Sequence, residues 1–266
     1  MPDSVTHHHA LPVVAAFAVL LTAGVAALLH FALQPQPSLK TWPRRIQRLA
    51  LQTTWNWQEV GKLLLLFTLG QLARAMLPPT PVWSMATFHG ILLLGILWLA
   101  HRKSNPFGRP LPWPRIATQS FLRWLAILPI LWFFSSIWQL FLHTIGHPPD
   151  LQLALRLFLE ITGIGPKILF LTFAILIAPI VEEVLFRGIL LPLLTRTLGP
   201  HFALLLSSLA FAAIHADMGS FLALALFAIA LSLAFARTRS LYVPIAMHML
   251  FNGVNLLLLF TLMRTP

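Results

Sequence analysis

Eight runs of about 20 apolar residues constrain this chain more than any other feature, because that length as a helix crosses a hydrocarbon core of about 30 Å. They cover 10–33, 60–77, 82–100, 121–142, 168–191, 201–217, 219–236 and 241–262. Lipid offers backbone groups no hydrogen-bond partner, so only helices or closed barrels can span it, and continuous apolar runs favour helices over alternating strands. The expectation is an all-α polytopic membrane bundle of about eight transmembrane helices, forming a single integral domain over 1–266. Composition agrees: 58% of residues are hydrophobic and 9% are charged, against about 25% charged in a soluble domain. Pro35, Pro37, Pro78, Pro79, Pro81, Pro110, Pro112, Pro148 and Pro149 punctuate the gaps, where a missing N–H is harmless.

The net charge of +11 does not point to nucleic acid, because the basic residues lie in short clusters between apolar runs. Lys40, Arg44, Arg45 and Arg48 follow the first run, and Arg102, Lys103, Arg109 and Arg115 the third. Arg196 follows the fifth, and Arg237 with Arg239 the seventh. Both termini outside puts every cluster in the cytoplasm, as expected of a multi-pass protein of the bacterial inner (plasma) membrane. Residues 1–33 read as a first span, their apolar run being too long for a signal peptide and lacking a basic flank. The absence of cysteine excludes disulfides and thiolate chemistry. His7, His8 and His9 read as a solvated tract, 151–162 as an interfacial helix, and Trp83, Trp98, Trp113 and Trp124 as interfacial anchors. There is no internal repeat.

Ionisable side chains inside a span are costly, and each is a functional candidate. The fifth run contains IAPIVEEVLFRGILL. Glu183 and Arg187, four apart on a helix, predict a buried ion pair. Glu182 points about 100° away and has no partner on its own helix, which suits a general base. Phe211-Ala-Ala-Ile-His215 adds an imidazole, and His248-Met-Leu-Phe-Asn252 adds an imidazole and a carboxamide on one face. Pro179 and Pro244 precede two of these groups and predict kinks or freed carbonyls. His30 and His89, lone histidines in apolar runs, read as helix-to-helix hydrogen-bond partners. With a fifth helix ending at 191, convergence of Glu182 with His215 requires tilt, a kink at Pro179 or an earlier start for the sixth helix, and the last is the expectation.

The ordered set E-E-x-x-x-R, F-x-x-x-H and H-x-x-x-N resembles the CPBP family of CAAX prenyl endopeptidases, bacteriocin-processing proteins and self-immunity membrane proteins. The resemblance covers roughly 165–262; residues 1–160 carry no recognised motif. It implies an eight-helix fold with an intramembrane cavity, Glu182 and His215 activating water, His248 and Asn252 stabilising the oxyanion, and Glu183, Arg187 and Phe211 in support. Its partners would be the bilayer and a membrane-anchored protein or peptide, with no nucleic acid. Without an H-E-x-x-H helix, zinc is permitted but not favoured, so no cofactor is expected. No G-x-S-x-G or G-x-G-D motif is present. The leading expectation is an intramembrane endopeptidase; the alternatives are a non-catalytic immunity or scaffold protein and a proton-coupled transporter.

Overall fold

The computed structural model describes residues 4–33, 41–76, 80–148 and 153–263. Lys40, Pro35, Pro37, Pro78, Pro79, Pro149 and the side chains of His7, His8 and His9 lie outside it. The chain folds into helices α1 (Ser4–Leu33), α2 (Trp42–Gln52), α3 (Trp57–Arg74), α4 (Pro81–Ala100), α5 (Trp113–Thr144) and α6 (Leu153–Glu160). Then follow α7 (Ile164–Thr172), α8 (Ala178–Glu183), α9 (Leu191–Ala213), α10 (Phe221–Thr238) and α11 (Tyr242–Met263). Wider π-helical turns at Phe173–Ile177 and Val184–Leu190 join α7, α8 and α9 into one rod.

Hydropathy gave no sign of α2, whose three arginines, Arg44, Arg45 and Arg48, hide an amphipathic helix. Pro43 sits in its first turn, and Ile46, Leu49 and Ala50 form a buried stripe facing α9 and α10. Asn56 and Glu59 then cap α3 reciprocally, each side chain accepting the other's backbone N–H.

The rod is broken only at Gly199, whose φ of +78° lies in the left-handed region that glycine tolerates. This corrects the expected boundary. The sixth helix starts at Pro200 and not earlier; instead the fifth runs on to Leu198. Glu182 lies 17 residues before Gly199 and His215 lies 16 after it, or ~25 and ~24 Å at 1.5 Å per residue. The two side chains therefore reach the same depth from the hairpin tip. The added length beyond 191 is held by α2, where Arg196 donates to the carbonyls of Ala50 (2.8 Å) and Thr53 (3.1 Å).

Five helical stretches are long and apolar enough to cross a bilayer by themselves, and the 164–213 stretch is one of them. Gly199 divides it into two crossings. The shorter apolar α11 and α3, which carries Glu59, Lys62 and Arg74, bring the described total to eight. Contacts between connecting segments respect this alternation. On one side Trp55 Nε1 donates to Pro106 O (3.2 Å) and the Leu241 N–H to Phe107 O (3.0 Å). On the other, Arg74 Nε donates to Ser84 Oγ (3.1 Å) and Trp138 Nε1 to Met218 O (2.7 Å). The chain is an integral, multi-pass membrane protein.

Two smaller expectations are corrected. Trp83, Trp98 and Trp113 are exposed, but Trp124 is buried among Leu125, Leu128 and Phe227 and is a core residue. Pro244 falls in the first turn of α11, where proline fits without a kink. The rod contributes Val181, Val184 and Ile189 to the largest apolar core and Phe170 and Ala174 to the smallest. Its polar face meets α4, α10 and α11.

Candidate active site

The polar groups of the fifth crossing sit at the seam between α8 and the second π turn, with Glu183 and Arg187 sealed from solvent and Glu182 slightly exposed. Glu183 is 0% and Arg187 1% exposed. The expected ion pair forms: Arg187 Nη1 donates to Glu183 Oε1 at 2.7 Å. The same oxygen accepts from His248 Nδ1 of α11 at 2.9 Å. Arg187 Nη2 donates to Ala228 O of α10 at 3.1 Å, and its guanidinium lies 4.4 Å from the centre of the Phe211 ring. Phe211, 0% exposed, also touches His215 (4.9 Å between ring centres) and His248 (5.6 Å). Glu183 and Arg187 thus tie three helices together, and Phe211 wedges the two imidazoles apart.

Glu182 has no partner on its own helix, as expected, but three imidazoles from three other elements face it. His215 Nε2 lies 3.8 Å and His248 Nε2 3.9 Å from Oε2. His89 Nε2 of α4 lies 3.5 Å from Oε1. The second nitrogen of each ring fixes its tautomer, because the groups it meets only accept. His215 Nδ1 donates to Phe211 O (2.7 Å), His248 Nδ1 to Glu183, and His89 Nδ1 to Met85 O (3.3 Å). All three therefore turn Nε2 toward one carboxylate. Sequence reasoning set His89 aside, because a single histidine in an apolar helix carries no signal of what it meets in space.

Asn252 is joined to this site through the backbone. Its Nδ2 donates to Ala174 O at 2.9 Å. In the first π turn the Ala178 N–H bonds Phe173 O; one residue on, the same register would pair residue 179 with Ala174 O. Pro179 has no N–H, and the Asn252 amide takes its place. At the second π turn, Pro192 likewise follows, and Thr53 Oγ1 lies 3.4 Å from Gly188 O, the carbonyl four residues before it. Each wide turn is thus stabilised from a separate helix or loop, as expected for π-bulges that serve a site. Asn252→Ala is expected to lower stability by about 1–2 kcal/mol by orphaning that carbonyl. In a Pro179→Ala background the loss should shrink, since residue 179 can then donate. Thermal unfolding of the four proteins measures the coupling; strictly additive losses would show that Asn252 does not stand in for the missing N–H.

Of the motif residues singled out from sequence, His215 and His248 face Glu182, Glu183 bonds His248, Phe211 contacts both imidazoles, Arg187 pairs with Glu183, and Asn252 bonds the backbone at Ala174. Among the described residues no group of three or more His, Asp or Glu side chains is arranged to hold a metal ion.

Residues 164–254 match the family model described as "Type II CAAX prenyl endopeptidase Rce1-like". The match takes in Glu182, Glu183, Arg187, Phe211, His215, His248 and Asn252, and leaves out His89. A Bacillus subtilis (strain 168) protein named "Putative membrane peptidase YdiL" is 34% identical over 77 residues. That alignment covers 29% of this chain and 32% of the relative's length. No solved structure matches the chain.

Proposed function

We propose that this membrane protein, with its Rce1-like CAAX endopeptidase segment, hydrolyses a peptide bond of a membrane-associated or lipidated protein, with Glu182 activating the water. One observation carries this reading. His215 Nε2 and His248 Nε2 lie 3.8 and 3.9 Å from the same Glu182 oxygen, too far for direct hydrogen bonds and well suited to a bridging water. A water there donates one proton to Glu182 Oε2 and the other to an Nε2 lone pair, which aims its own lone pair at a carbonyl carbon. Glu182 takes the proton as the C–O bond forms and returns it to the amide nitrogen as the C–N bond breaks. A His248 that has taken an Nε2 proton from solvent before substrate binds donates to the oxyanion, with Glu183 on its far nitrogen stabilising the imidazolium, and His215 Nε2 is then the lone pair that accepts from the water. The second N–H of Asn252 is the further donor.

The family match supports the class of reaction, and a lipidated substrate suits a carboxylate placed within the bilayer. Zinc remains disfavoured because the sequence lacks the paired-ligand turn of H-E-x-x-H helices. The test uses the full chain reconstituted in vesicles with a farnesylated reporter peptide, its products read by mass spectrometry. Cleavage at a single bond, undiminished after exhaustive treatment with EDTA, is expected. Activity lost to the chelator and restored by stoichiometric zinc would reverse the metal-independent assignment, and no cleavage of any lipidated peptide tested would remove the hydrolytic one.

A further inference from the structure

His89 lies outside the residues matched by the family, on a helix to which sequence reasoning assigned no chemistry. Its side chain and that of Glu182 are each 12% exposed, with His89 Nε2 3.5 Å from Glu182 Oε1. Because Nδ1 donates to Met85 O, a neutral ring would turn a bare lone pair toward a carboxylate. The contact is favourable only when a proton lies between Nε2 and Oε1. His215 and His248 instead face the other oxygen, Oε2, and at longer range. Glu183 and Arg187, the remaining charges beside Glu182, are engaged with each other.

We propose that His89 is a positioning residue for the Glu182 carboxylate. By sharing a proton with Oε1 it holds the carboxylate so that Oε2 alone faces His215, His248 and the water between them. Resting on the hydrolytic reading above, this assigns the N-terminal half a part in the active site. The geometry that delivers His89 is firm: Phe88 beside it packs edge-on against Phe67 of α3, with 5.1 Å between ring centres. Gly70 and Gly95 let α3 and α4 approach closely, since a Cβ at either position would collide with Ile91 or Leu66. α4 in turn packs on α7, α8 and the first π turn.

Two variants and one spectrum test the assignment. His89→Leu fills the space without a donor, whereas the amide nitrogen of His89→Gln can stand where Nε2 stands. With the farnesylated reporter, H89L is expected to lower kcat on the order of tenfold to a hundredfold through a misplaced carboxylate, with KM little changed. H89Q should recover most of that loss. In nitrogen-15 histidine spectra of the full chain in lipid, H89Q identifies the His89 signal by deleting it, and Glu182→Gln is expected to shift it. H89L activity within twofold of wild type, a loss confined to KM, or a His89 signal indifferent to Glu182→Gln would each overturn the proposal. The spectrum needs no turnover, so the pairing is decided even if the reporter assay removes the hydrolytic reading.

Discussion

Glu183→Gln is expected to destabilise the protein by about 3–5 kcal/mol, because it leaves the Arg187 guanidinium buried without a counter-charge. Arg187 is 1% exposed, so water cannot compensate. The glutamine oxygen can still accept from Arg187 or His248, but the charge compensation is lost. Arg187→Met should cost a similar amount by stranding the Glu183 carboxylate. The Ala228 carbonyl released by that change keeps a partner, since Ser232 Oγ donates to it at 2.8 Å. The double variant leaves no buried charge at either position and should recover part of each loss. Unfolding of all four proteins under the same lipid or detergent conditions measures the cycle. If both single variants melt with the wild type, the pair does not anchor the fold as described.

Length and hydropathy carried most of the architecture because lipid admits so few alternatives. All eight crossings lie where apolar runs place them, and the alternation of basic clusters matches the contacts between connecting segments. The failures have physical causes. α2 escaped notice because Arg44, Arg45 and Arg48 outweigh its three buried residues in any average. The fifth apolar run stops at 191, just before Pro192, a residue that ordinarily ends or kinks a helix. Here a π turn absorbs the proline and the rod continues to Leu198. That extension, and not an earlier sixth helix, brings His215 level with Glu182.

At the site, spacing within one helix was legible and spacing between helices was not. Glu183 and Arg187 four apart on one crossing predicted the observed pair. The link from His248 to Glu183, and from Asn252 to the carbonyl left by Pro179, depends on how α11 lies against the rod. Nothing local to either segment encodes that. His89 is the clearest instance, since its meaning comes entirely from a carboxylate 93 positions further along the chain. Trp124 erred in the opposite sense: an interfacial residue type serves here as core.

Glu182→Gln is expected to abolish hydrolysis while leaving the protein folded in the membrane. Glutamine keeps the size and can still hydrogen-bond a water, but it cannot take that water's proton. Losing a general base costs about a hundredfold to ten-thousandfold. The ion pair of Glu183 with Arg187 is untouched, so the unfolding temperature should stay near that of wild type. The decisive measurement is the rate at which reconstituted Glu182→Gln protein cleaves the farnesylated reporter, beside wild type in the same vesicles. The account predicts a residual rate at or below about one per cent of wild type. A folded Glu182→Gln protein that cleaves the same bond at a rate well above that would contradict the assignment of Glu182 as the base.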